Sequence, residues 1–155
     1  MRRGTTGAVR PVPDSGRSTT GERTAALTLR PEPSAVGIAR RLVADRCRSA
    51  GLPNDLADTV VLLTSELVTN AFTHGRSDAR TQVTATGTWA RVEVGDDNSR
   101  HPQAVEEDLD ALDGRGLTIV ALLAARWGVQ DDPYGKTVWF EVEPGQVDLD
   151  RAAAP

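Results

Sequence analysis

Between Leu62 and Gly75 the chain reads LLTSELVTNAFTHG, and within that run Glu66, Asn70 and His74 stand four residues apart. On a helix this spacing aligns side chains along one stripe. The residues between them are apolar or helix-tolerant, so the segment reads as a helix. A carboxylate and a carboxamide one turn apart on an apolar helix need partners. Burying either one unpaired would cost about 1–3 kcal/mol or more. A metal ion held through oxygen ligands would supply the reason. His74 has two readings, a member of the polar stripe or a helix-end group facing the last carbonyls, and the second is preferred.

Three further groups carry chemistry. Asp96 follows an apolar strand ending at Val94. A carboxylate there can accept a hydrogen bond from an exocyclic amine such as that of adenine, a contact contributing about 1.5–3 kcal/mol. Taken alone it reads first as a turn residue, as do Asp97, Asn98 and Ser99 after it. Gly114-Arg115-Gly116 opens an apolar helix beginning with Leu117. Glycines admit close backbone approach, a helix N-terminus favours phosphate, and arginine adds a charged fork. A loop end before a core helix explains the same residues equally well. Lys136-Thr137 starts the last strand. Thr137 can hold a water or a polar ligand edge, although a lone threonine in a strand more often reflects β propensity.

The elements that position these groups follow from periodicity. Ala25–Arg30 alternates as an edge strand. Pro31 and Pro33 break it, Ser34 is a candidate N-cap, and Val36, Ala39, Leu42, Val43 and Cys47 set a helix over 34–50 that Gly51 ends. Asp55 can cap the next helix, 55–74, with Leu56, Val60, Leu63, Leu67 and Ala71 as its core stripe. Strands are expected over 79–86 and 89–95, joined through Gly87 and Thr88. The polar stretch 96–113 is a long loop. A helix then runs to Ala125, followed by strands over 126–130 and 137–143. The order β-α-α-β-β-loop-α-β-β implies an α/β two-layer sandwich, a mixed, mainly antiparallel sheet with helices on one face.

Composition bounds the rest. The chain has 155 residues, is 39% hydrophobic and 26% charged, and carries a net charge of -4. That fits one globular domain over 24–144 and gives no basic footprint for direct nucleic-acid binding. Residues 1–23 lack large apolar side chains and read as a disordered tail, and 145–155 as a weakly ordered one. Cys47 is the only cysteine and there are two histidines, which excludes an intrachain disulfide and a cysteine- or histidine-rich metal cluster. No apolar run spans a membrane and no secretory signal opens the chain, so a cytoplasmic protein is expected. The phosphate loop, the dinucleotide fingerprint, the HExxH zinc motif and the GxSxG elbow are all missing. Trp89, Trp127 and Trp139 read as packing residues.

The order of the four motifs resembles that of the GHKL-type ATPase domains, which include those of gyrase, histidine kinases and MutL. It is most similar to their anti-sigma-factor serine/threonine kinase branch, over about Ala25–Val142. The carriers are ExxxNAxxHG at Glu66, Asn70, Ala71, His74 and Gly75, the strand-end Asp96, GRGL at Gly114, Arg115, Gly116 and Leu117, and the final strand from Thr137. The resemblance implies a Bergerat-type ATP-binding fold, with ATP and Mg²⁺ as cofactors. Asn70 would ligate Mg²⁺, and Glu66 would be the general base. Asp96 would bind the adenine amine with Thr137 supporting it through water. Gly114, Arg115 and Gly116, with Leu117 behind them, would wrap the phosphates, and 98–113 would form a lid. The implied activity is transfer of the ATP γ-phosphate to an anti-sigma-factor antagonist. The implied partners are that antagonist, a sigma factor and a second copy of the chain. Where the family often carries DxGxG, Asn98 and Arg100 replace both glycines. That replacement motivates the alternative, a non-catalytic ATP-responsive or nucleotide-independent binding module.

Overall fold

The computed structural model describes residues 21–75, 77–97, 115–133 and 135–145. Of the expected tails over 1–23 and 145–155, residues 1–20 and 146–155 lie outside the described residues, as do the lid stretch 98–113 and Gly114, while Arg23 already belongs to the first strand. The chain order is β1 (Arg23–Leu29), α1 (Ala35–Ala50), α2 (Asn54–Asn70), a π-helical turn (Ala71–Gly75), β2 (Ala79–Ala85), β3 (Ala90–Asp96), α3 (Arg115–Leu123), β4 (Arg126–Asp132) and β5 (Gly135–Val142). This is the expected order. The five strands form one sheet, β1-β2-β3-β5-β4, with every neighbouring pair antiparallel.

Helices cover one face. α1 packs on β1 and β2, α2 on β3 and β5, and α3 against α2 and β4. Alternation along each strand sends every second side chain into that layer. Val92 and Val94 on β3, Val83 on β2, and Val138, Phe140 and Val142 on β5 are buried there. They meet Ala35, Ala39, Val43 and Cys47 of α1 and Leu56, Val60, Leu63 and Leu67 of α2. Burial also pushes the Cys47 thiol up to about 11, leaving it a small apolar core group rather than a nucleophile.

Helix ends agree with the sequence more at the C-terminus than at the N-terminus. Gly51 adopts φ 81°, and the N–H of Gly51 donates to the Arg48 carbonyl at 3.1 Å while that of Leu52 donates to the Cys47 carbonyl at 3.0 Å, a left-handed cap. Ser34 sits at φ -81°, ψ -12° and makes no side-chain cap bond, because a helical backbone turns its hydroxyl from the free amides. Pro53, not Asp55, stands at the cap position of α2, and Asp55 falls in its first turn. There its carboxylate still complements the helix dipole.

The opposite sheet face carries a charged lattice. Arg91 lies over the Trp139 ring, 4.1 Å from its centroid, and donates to Glu141 at 2.9 Å. Arg126 donates to Glu141 at 2.7 Å from the other side. A Cβ on Gly128 would stand 2.9 Å from the Trp139 ring, so that indole occupies the space over the glycine of its cross-strand partner.

Candidate functional site

α2 brings Glu66 and Asn70 to the edge of its buried stripe. Both are half-buried, beside the fully buried Leu63 and Leu67. Neither side chain has a hydrogen-bond partner among the described residues. Their oxygen chemistry suits a hard cation that keeps most of its ligands as water and phosphate, with Asn70 contributing one carbonyl oxygen. No cluster of three acidic, histidine or cysteine side chains able to hold a metal alone exists among the described residues.

The helix does not continue to His74 as one α-helix. From Ala71 it widens into a π-helical turn ending at Gly75. The wider turn changes the angular phase, so the stripe stops at Asn70 and His74 falls on an exposed side. The same turn packs against β3, whose last residue is Asp96.

Asp96 is 3% exposed, on the helix-facing side of the sheet. Its cross-strand partner is Lys136, also 3% exposed. The Lys136 Nζ lies 3.3 Å from both Oδ1 and Oδ2 of Asp96. The strand end is tied down from the next strand. Arg80 donates to Asp97 Oδ1 at 2.9 Å and to the Asp96 carbonyl at 3.4 Å, and the Asp97 amide donates to Ser77 Oγ at 3.0 Å. The close approach of β5 depends on Gly135. A Cβ there would overlap the Asp96 carbonyl and stand 2.7 Å from Asp97 Cα.

Thr137 is placed elsewhere. It pairs with Gly95, one residue out of phase with Asp96, and therefore points to the opposite face. A Cβ on Gly95 would meet both Thr137 Oγ1 and Arg80 Nη2 at 3.2 Å. The side chain directly across from Asp96 is thus Lys136 rather than Thr137, which the resemblance had assigned to support the base through water. Sequence reasoning passed over Lys136 and Gly135. The signal for Lys136 was its phase, since it shares the alternation of Val138, Phe140 and Val142. A lysine in phase with a core face requires a buried counter-charge.

Arg115 and Gly116 begin α3 as expected, and Leu117 is buried beneath its first turn. A polar helix edge, a buried strand-end carboxylate and the first turn of α3 thus belong to elements packed on the helix-covered side of the sheet. That set can bind an amine edge, oxygen-ligated cations and phosphate.

No curated protein sequence matches the chain. Among solved structures it is similar to the histidine kinase domain from the Erythrobacter litoralis EL346 blue-light activated histidine kinase, at 20% identity and a TM-score of 0.47. That similarity covers 79% of this chain and 65% of the other. The family model described as histidine kinase-like ATPase domain matches residues 29–142.

Proposed function

The chain belongs to the histidine kinase-like ATPase domain family, and on that footing we propose that it is an ATP-dependent serine/threonine protein kinase that regulates transcription. It transfers the γ-phosphate of ATP to an anti-sigma-factor antagonist and holds a sigma factor away from RNA polymerase. It works in the cytoplasm as a homodimer. The observation that supports this reading best is the pair Glu66 and Asn70, half-buried and without side-chain partners among the described residues, on the helix whose end turns over the strand of Asp96.

In this reading the Glu66 carboxylate accepts the proton of the attacking hydroxyl. The hydroxyl oxygen forms a bond to the γ-phosphorus as the bond to the β–γ bridging oxygen breaks, and the leaving oxygen departs on ADP. The chain's part is mainly positioning and electrostatics. Asn70 would hold Mg²⁺ through its side-chain oxygen, and that ion would neutralise phosphate charge when bound. Asp96 would fix the base, and the N-terminus of α3, with its positive dipole end, would face the phosphates.

Calorimetry with ATP and ADP, with and without Mg²⁺, tests the binding half. Binding that depends on Mg²⁺, with the dependence lost in Asn70→Ala, is expected. Unchanged Mg²⁺ coupling in that variant would refute the ligand assignment. Radiolabelled phosphate transfer onto candidate antagonists tests the chemical half. Glu66→Ala should retain nucleotide and lose transfer by roughly 10²–10⁴-fold, and transfer at the full rate would remove Glu66 as the base.

A further inference from the structure

The helix-free face of the sheet carries an open cavity of about 310 Å³ that touches all five strands. Asp96 faces the helices, so this cavity lies across the sheet from the site described above. Gly95 leaves a pit in its floor, between Arg80 on β2 and Thr137 on β5, its two cross-strand neighbours. A Cβ on Gly95 would stand 3.2 Å from Arg80 Nη2, 3.3 Å from Arg80 Nε and 3.2 Å from Thr137 Oγ1. One edge of the guanidinium and a hydroxyl therefore converge over a single point. That edge presents two parallel N–H groups, the fork that grips a carboxylate. Arg80 is already fixed in place, since Nη1 donates to Asp97 Oδ1 at 2.9 Å and Nη2 donates to the Asp96 carbonyl at 3.4 Å. Those bonds use two of its five N–H groups. The Nε–H of Arg80 and the Thr137 hydroxyl have no partner among the described residues.

We propose that this cavity is a binding site for a free amino acid. The charges around the pit narrow the ligand to a zwitterion. Glu93 stands two residues from Gly95 on the same face of β3, and Asp132 lines the cavity from β4. A simple anion on Arg80 would meet the carboxylates of Glu93, Asp97 and Asp132, and a simple cation would meet Arg80 itself. A molecule with a carboxylate and an ammonium a few bonds apart complements both signs. Its carboxylate accepts from the Arg80 fork and the Thr137 hydroxyl, and its ammonium donates to Glu93. Glu93 has an oxygen to give, because only its Oε1 accepts from Arg91, at 3.1 Å. Gln82 and Gln130 line the same cavity with side chains that have no partner among the described residues. Each offers an amide donor and acceptor to the rest of the ligand. The volume of about 310 Å³ falls at the small end of the roughly 300–1,000 Å³ of ligand pockets, in keeping with a molecule of this size.

Thermal melting of the full-length protein with each of the common amino acids at about 10 mM finds the ligand, since a molecule that binds only the folded chain raises the midpoint. Calorimetry then compares the best of them with its N-acetyl and carboxamide derivatives, which remove the ammonium and the carboxylate in turn. Each blocked derivative is expected to bind about 10- to 100-fold more weakly, the loss of one charge-assisted hydrogen bond. Thr137→Val keeps the shape of the side chain and deletes its hydroxyl, and should weaken binding by about 2- to 10-fold. No rise in midpoint with any amino acid overturns the inference. Blocked derivatives that bind as tightly as the parent overturn it too, and an unchanged affinity in Thr137→Val moves the binding away from this cavity and overturns it likewise. The derivative comparison uses the wild type, so poor folding of Thr137→Val does not remove the test.

Discussion

Replacing Asp96 by leucine keeps a γ-branched side chain and deletes its charge. The ammonium of Lys136 then loses the carboxylate that it meets across the strands. Both side chains of the pair are only 4% exposed, so water cannot take the place of the missing carboxylate. Removing one partner of a buried pair costs about 3–5 kcal/mol. The lower end is expected here, because 3.3 Å contacts are longer than the roughly 2.7–2.9 Å of strong charge-assisted bonds. Lys136→Met removes the other half of the pair and should cost a similar amount. The double replacement is the informative one, since two apolar side chains need no partner. Replacing both charges of such a pair is neutral or stabilising by about 1–4 kcal/mol. The coupling between the two positions should therefore amount to about 6 kcal/mol in a double-mutant cycle, the sum of two singles of about 3 kcal/mol against a neutral double. Urea unfolding of the four proteins at pH 7 measures it, provided the m-values agree. Single replacements that each cost less than about 1 kcal/mol, or a double whose cost is the sum of the singles, would refute the reasoning from burial.

Two other perturbations probe the frame around the site. Gly135→Ala places a Cβ against backbone, overlapping the Asp96 carbonyl and 2.7 Å from Asp97 Cα. Backbone cannot swing aside as a side chain can, so a loss of about 1–3 kcal/mol is expected, with weaker ADP binding as Asp96 is displaced. Unaltered urea midpoint and affinity would show that the strands separate at no cost. Glu141 tests the charged lattice on the other face. Burial pushes its carboxyl up, but hydrogen bonds and charge from Arg126 and Arg91 outweigh burial and hold it below its ordinary value of 4.5. A carboxylate with a lowered folded value adds stability above 4.5 that is lost as the pH falls through that lower value. The stability gap between wild type and Glu141→Gln should thus be open at pH 7 and close on acidification below about 4.5, and a gap independent of pH would contradict the assignment.

The contrast between what was legible and what was not has a physical pattern. Helix α1, its left-handed Gly51 stop and the two central strands follow from periodicity and turn chemistry, both of which are local. The break of α2 at Ala71 is not local. No glycine or proline precedes Gly75 in that run, so sequence propensity alone carries the helix through to His74. The wider turn becomes visible only once β3 is packed beneath it.

The face that Thr137 takes was legible, for a different reason. Val138, Phe140 and Val142 define the core phase of β5, and counting back by two from Val138 reaches Lys136, not Thr137. A charged side chain invites the assumption of solvent, and a hydroxyl the assumption of ligand contact. Side-chain period in a strand overrides both, because a one-residue shift moves a group through the sheet to its other face. Asp96 is in the core phase of β3, with Val92 and Val94, so only a core-phase residue of β5 can meet it. In that position a lysine has to be paired, and a strand-end aspartate is the charge available. The buried pair follows from two alternations and the antiparallel register that joins them. The same logic extends to any strand-end carboxylate read as a base acceptor. Its neighbour in phase on the adjoining strand decides whether the base meets a carboxylate alone or a carboxylate already matched with a donor.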